Sequence, residues 1–177
     1  LQHPENFDAG ILSNTYTNGK GVIKFDGKVT VVGERSFFQC SNLTDIYLPD
    51  SVLEIGKYAF SGCVALHRFI IPSNVTKIDR AFFDGMQTII NKSSKITELA
   101  KDVFKSESII EFKGVWASED NRALIRDGEM IAFARGALTE YVVPSGVISI
   151  ASDVFNDCNR LTRIVLPDGL RKIGDST

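Results

Sequence analysis

Cys40, Cys63 and Cys158 are the most reactive side chains the sequence offers. A thiol can ligate a metal, attack a carbonyl or pair with a second thiol, and each role needs partners at a set spacing. The two histidines, His3 and His67, have no cysteine or acidic partner at ligand spacing. Neither a metal site nor a catalytic histidine is therefore expected. There is no Gly-x-Ser-x-Gly elbow, no phosphate-binding loop and no Gly-x-Gly-x-x-Gly segment. Paired-acid hydrolysis would need two carboxylates about 5 to 9 Å apart. Asp45, Glu54 and Glu140 are spread along the chain with no such pairing in their spacing. No catalytic residue, metal or cofactor is expected. Asn42, Asn74 and Asn91 begin Asn-x-Ser/Thr triplets. Asn42 and Asn74 read better as turn residues, which asparagine suits by tolerating tight backbone shapes.

Composition excludes further classes. The 177 residues are 44% apolar and 24% charged, with a formal net charge of −2. Such a balance gives no electrostatic footprint for nucleic acid. No apolar run reaches the roughly 20 residues needed to span a bilayer. Three cysteines cannot close a disulfide framework. The length suits one domain, and the apolar fraction is ample for a core.

The positions of the prolines are more informative than their number. Four of the five occupy one phrase: Tyr-Leu-Pro49, Ile-Ile-Pro72, Val-Val-Pro144 and Val-Leu-Pro167. Pro49 to Pro72 is 23 residues, and so is Pro144 to Pro167. Around them Val29, Val32, Phe37, Cys40, Leu43, Ile46 and Leu48 match Val52, Ile55, Phe60, Cys63, Leu66, Phe69 and Ile71. Val147, Ile150, Val154, Phe155, Cys158, Leu161, Ile164 and Leu166 form a further copy, and Leu170, Ile173 and Gly174 open another. Between 75 and 115 the pattern is degraded: Val75, Ile78, Phe83, Gly85 and Ile89 keep the 23-residue offset, Met86 and Glu107 stand where cysteine would, and Asn91–Ser94 replace the Leu-Pro phrase. A fixed period of this length signals stacked units that share one continuous core.

The Leu-x-x-Ile-x-Leu phrase alternates as a strand, with proline ending it. The other half of each unit, Val-x-x-Ile-Gly-x-x-Ala-Phe, predicts a second short strand and a helical or 3₁₀ turn on the outer side. Stacking puts Cys40 and Cys63 about 5 Å apart, within disulfide range. The simpler reading is a column of small buried thiols. Two Asx-Gly pairs predict hairpins: Asn18-Gly19 between 11–17 and 21–25, and Asp127-Gly128 between 123–125 and 130–133. The expected organisation is one domain over 1–177. It comprises an N-terminal hairpin cap (1–28), repeats (29–115), a hairpin insertion (116–137) with Trp116 as a hydrophobic lid, and repeats (138–177) whose last unit is incomplete. The unfinished last unit and the absence of an initiator Met lead to the expectation that the natural protein is longer.

The phrases Ile55-Gly56-x-x-Ala59-Phe60-x-Gly62-Cys63-x-x-Leu66 and Ile71-Pro72 resemble the leucine-rich repeats of the BspA (Bacteroides surface protein A) type. The resemblance spans roughly 22 to 174, and the segment from Gly114 through Trp116, Asp120 and Arg122 resembles an inserted unit of such proteins. It implies an α/β, right-handed leucine-rich-repeat solenoid, with strand-rich coils of about 23 residues, short helical or 3₁₀ outer turns and hairpin insertions. It also implies a bacterial cell-surface or extracellular protein that adheres to, or recognises, a host or neighbouring-cell protein.

If Ile46/Leu48, Phe69/Ile71, Tyr141/Val143 and Ile164/Leu166 point inward, the exposed sheet face carries Asp45, Tyr47, Arg68, Ile70, Glu140, Val142, Arg163 and Val165. Tyrosine and arginine are common anchors in protein recognition. That face is the candidate ligand-binding site. The expected partner is a protein, with no nucleic acid and no membrane insertion by this segment. The alternative function is a rigid spacer within a longer surface protein.

Overall fold

The computed structural model describes residues 4–18, 20–80, 85–101, 103–104 and 108–177. His3, Gly19, Phe83 and Glu107 lie outside the described residues. A hairpin opens the chain, β1 (Ile11–Thr17) antiparallel to β2 (Lys20–Phe25). Then most coils supply one two-residue strand and one longer strand. The two-residue strands β3 (Val31–Val32) and β4 (Glu54–Ile55), the longer β5 (Arg68–Ile71), β6 (Lys77–Ile78), β7 (Thr88–Asn91), β8 (Glu98–Leu99) and β9 (Glu111–Gly114) form the first half. A second hairpin follows, β10 (Ala123–Arg126) and β11 (Glu129–Phe133), and then β12 (Glu140–Val142), β13 (Ser149–Ile150), β14 (Arg163–Val165) and β15 (Lys172–Ile173).

Stacking sorts these strands into parallel ladders. The short strands pair as β3-β4-β6-β8, and the longer ones as β5-β7-β9. Beyond the second hairpin the ladders resume as β11-β13-β15 and β12-β14. Identical positions meet across each rung: Val32 with Ile55, Ile55 with Ile78, Tyr141 with Ile164. Each rung therefore adds one apolar residue to a continuous internal column. Residues 45–48 keep the alternation, with Ile46 and Leu48 packed on the core and Tyr47 82% exposed, yet they do not enter the ladder. They form the outermost turn of this face, with a coil on one side only.

The outer turns correct the α/β assignment. Among the described residues the one helical element is a 3₁₀ turn at Pro4–Asn6, and the fold is a strand-rich solenoid. Each outer turn starts as a helix would, with Phe38 N bonded to Arg35 O and Cys40 N to Phe37 O. In the coils that begin at Val29, Val52 and Val147 it cannot propagate, because two positions of each are left-handed. Arg35, Tyr58, Asp153 and Ser176 form one such column, with φ of 56 to 60°. Gln39, Gly62 and Asp157 form the second. A left-handed residue every fourth position breaks the i to i−4 bonding an α-helix needs.

The register also corrects the alignment of the degraded coil. The sequence offset set Ile89 opposite Leu66, whereas the ladder pairs Ile89 with Phe69. The coil is three residues short: 11 residues separate Ile78 from Ile89, and 14 separate Ile55 from Phe69. Met86, three residues before Ile89 as Leu66 is before Phe69, is fully buried in that core column.

The N-terminal segment closes the first coil. Phe7 packs on Phe25 and Phe37, with ring centroids 5.1 and 5.9 Å apart. Asp8 accepts hydrogen bonds from Thr30 N (2.9 Å), Val31 N (3.0 Å) and the Thr30 hydroxyl. Desolvation works against the charged form of Asp8, and these bonds outweigh it, holding the carboxyl below its usual range. The sign follows from linkage. A depressed carboxyl adds stability above its unfolded pKa and loses it as pH falls through the folded value. Asp8→Asn should cost on the order of 1 kcal/mol at pH 7 and flatten the acid limb of a urea-midpoint titration below about pH 4. An unchanged acid limb would refute that role.

The second hairpin is built into the solenoid. Its turn residues Asp127 and Gly128 have φ of 51° and 79°, the type I′ geometry that matches strand twist. β11 then runs parallel to β13, with Met130 opposite Ile150. The side chains of the hairpin segment divide between two cores. Leu124, Ala132 and Ala134 join the core that begins at Val29. Ala123, Met130 and Phe133 join the one containing Tyr141, Val147, Ile150 and Phe155.

Candidate recognition face

The alternation of β5, β7 and β9 buries Phe69, Ile71, Ile89 and Phe112 and turns the intervening residues outward. Rungs bring Arg68, Thr88 and Glu111 into one row, and Ile70, Ile90 and Lys113 into the next. Tyr47, Ile70, Pro72, Lys92 and Asp50 line a shallow depression of about 30 Å³. Arg68 is exposed and Ile70 half-buried. Glu111 is the polar hub: its Oε1 accepts from Lys113 Nζ at 2.9 Å and from the Thr88 hydroxyl at 2.8 Å. The Lys113 bond first, then the Thr88 bond, holds its carboxyl below the usual range.

The remaining candidates lie on β12 and β14. Glu140 and Arg163 are register partners with a 3.5 Å ion pair between exposed side chains, and Val142 faces Val165. Exposure of Ile164 (37%) and Leu166 (44%) shows that the inward row is open on the far side of β14.

The eight sequence candidates therefore fall into two groups. Arg68 and Ile70 lie on the β5-β7-β9 sheet with Asp45 and Tyr47 in the unladdered segment beside it, and Glu140, Val142, Arg163 and Val165 lie on the β12-β14 sheet. The segment leading into the second hairpin stands between them. Phe112 N bonds to Asn121 O at 2.8 Å, and Arg122 Nη1 donates to Ile110 O at 2.7 Å, taking up polar groups beside β9. Asp120 ties that segment down by accepting from Ser118 Oγ and Arg122 N. Burial, then the Asp120 charge, pushes the Tyr141 hydroxyl well above its usual value. Trp116 is half-buried at φ 72°, with the Arg126 guanidinium 5.4 Å above its ring.

Thr88, Ile90, Glu111 and Lys113 complete the first face and were not singled out from the sequence. The available signal was the polar-apolar alternation around Ile89 and Phe112, hidden by the three missing residues and the lost proline. All three cysteines are free thiols: Cys63 fully buried, donating to Phe37 O at 3.0 Å, and Cys40 and Cys158 half-buried. Among the described residues no group of three or more His, Cys, Asp or Glu could hold a metal ion. None of their helices is long and apolar enough to cross a membrane.

A family model described as the BspA type leucine rich repeat region matches residues 13–116 and 129–177, in six copies. No curated protein sequence matches the chain. Among solved structures, a leucine-rich repeat protein from Eubacterium ventriosum is similar at 18% identity and a TM-score of 0.58, over 82% of this chain and 47% of that one. A leucine rich cell surface protein from Faecalibacterium prausnitzii is 18% identical, with a TM-score of 0.45 over 82% of this chain and 54% of its own. A T. pallidum leucine rich repeat protein is 21% identical, with a TM-score of 0.45 over 96% of this chain and 84% of its own. The chain spans about half the length of the first two. At these identities the likeness is one of fold.

Proposed function

Because the chain belongs to the BspA-type leucine-rich repeat family, we propose that it is a non-enzymatic protein-recognition module of a bacterial cell-surface or secreted protein, acting in adhesion or protein binding. The module is read as one right-handed solenoid domain over 1–177, and its recognition surface as the outward rows of the longer-strand ladders. Tyr47 carries this reading: a large aromatic side chain 82% exposed beside a depression shared with Ile70 and Lys92. Aromatic anchors ringed by polar groups are the usual composition of interface hot spots. Glu140, Val142, Arg163 and Val165 form the second part of that surface.

The test is surface plasmon resonance against a panel of purified extracellular-matrix and bacterial surface proteins. At least one should bind, with Tyr47→Ala and Arg68→Ala each weakening it about tenfold or more, the size expected of hot-spot truncation. Unfolding midpoints should stay at the parent value, because both side chains are exposed. A panel with no binder, or silent face variants, would refute the proposal.

A further inference from the structure

Arg135 stands 23 residues before Cys158, in the repeat position that Cys40, Cys63 and Cys158 occupy. That position suits a small apolar side chain, as the fully buried Cys63 shows. Arg135 instead places a guanidinium there, with its side chain only 14% exposed and 3.9 Å from the Asp157 carboxylate. A charged group stands where three coils carry a thiol, and departures from a local pattern concentrate at functional sites.

The coil makes room for it. Met130 to Tyr141 is 11 residues, whereas Ile150 to Ile164 in the next coil is 14. The turn carrying Cys158 thus lacks a full-length turn stacked on it. An open cavity of about 240 Å³ lies there, lined by Arg135, Leu138, Asp157, Cys158, Arg160 and Leu161 among others. The opening half-exposes Cys158, where Cys63 is sealed. At about 30 Å³ per molecule the cavity has room for roughly eight waters or one small organic molecule.

We propose that this cavity binds a small organic carboxylate. Two arginines against one aspartate leave one positive charge, which matches a monoanion. A guanidinium fork suits a carboxylate in bidentate geometry. Leu138 and Leu161 offer apolar contact to a short alkyl group. Asp157 competes with the ligand for Arg135, so removing its charge tightens binding. The site is independent of the recognition face.

Cys158 is a built-in reporter, and Cys40, also half-buried, is its reference. Both are alkylated with iodoacetate, which carries a carboxylate, and with iodoacetamide, which does not. The rates are read by peptide mass spectrometry. The iodoacetate-to-iodoacetamide rate ratio at Cys158 should exceed that at Cys40 roughly fivefold, the scale of a charge-assisted hydrogen bond on a solvent-reached site. Arg135→Gln should bring it down to the Cys40 value, and Asp157→Asn should raise it. Isovalerate should slow iodoacetamide at Cys158, while isovaleramide should not. Retained protection of Cys63 reports that each variant is folded, and Arg160→Gln on the exposed rim serves if Arg135→Gln is not. Equal ratios at the two thiols, or protection by isovaleramide equal to that by isovalerate, would overturn the proposal. Inorganic phosphate protecting as well as isovalerate would also overturn it, as a general anion site.

Discussion

Replacing Phe60 with alanine is expected to cost about 3 to 5 kcal/mol. The ring is fully buried, stacked on Phe37 with centroids 5.3 Å apart and an interplanar angle of 4°, and tilted against Phe69 at 4.9 Å. Two successive coils meet at this side chain: the first outer turn, and its own coil through its outer turn and the inner face of β5. The coils above and below are held by ladder hydrogen bonds, so the cavity cannot collapse by sliding one coil onto the next. At 2 to 4 °C per kcal/mol the melting temperature should fall by roughly 10 °C. Urea unfolding followed by circular dichroism measures the change. A loss under about 1 kcal/mol would mean that the stack relaxes around the gap.

Gly114→Ala has the second large effect. Gly114 ends β9 at φ +86°, and a Cβ built there would lie 2.1 Å from Asn91 O. The obstructing atom is backbone in the paired strand β7, which cannot rotate away. Left-handed strain alone costs a non-glycine residue about 1 to 2 kcal/mol. The clash adds to it, for a total of about 3 kcal/mol or more. Gly146 separates the two contributions, since its φ is +91° and a Cβ there meets nothing within 4 Å. Gly146→Ala should therefore show the strain alone. Equal losses in the two variants would show that β7 and β9 part without cost.

Much of this architecture was legible in the sequence because the solenoid writes each layer with the same letters. The 23-residue proline spacing gave the coil length, and the columns of Val, Ile, Phe and Leu gave the inward faces. The turns were less legible for a definite reason. Left-handed backbone announces itself at glycine, as at Gly62, but Arg35, Tyr58 and Asp153 adopt it with nothing in their side chains to mark it. The Ala-Phe phrase therefore looked helical. Length changes were hidden for another reason: three residues missing from an outer turn shift the apparent alignment without changing which residues are apolar, as Ile89 shows. The face candidates were readable by alternation wherever proline fixed the strand end. Their division into two groups was not, because it depends on where Asn121 and Arg122 bond. Arg135 was visible at the cysteine offset, and becomes informative only beside the cavity.

The division of β10 and β11 between two cores has a thermodynamic consequence. Coils stacked on one uninterrupted core are coupled to each neighbour, so loosening spreads along the stack. Leu124 and Ala132 serve one hydrophobic phase, and Ala123, Met130 and Phe133 another, with a single hairpin as the boundary between them. Fraying on the β15 side can then stop at this boundary, leaving the layers from Val29 to Phe112 protected. In amide exchange the chain should behave as two cooperative segments joined at a domain wall, each with its own opening free energy.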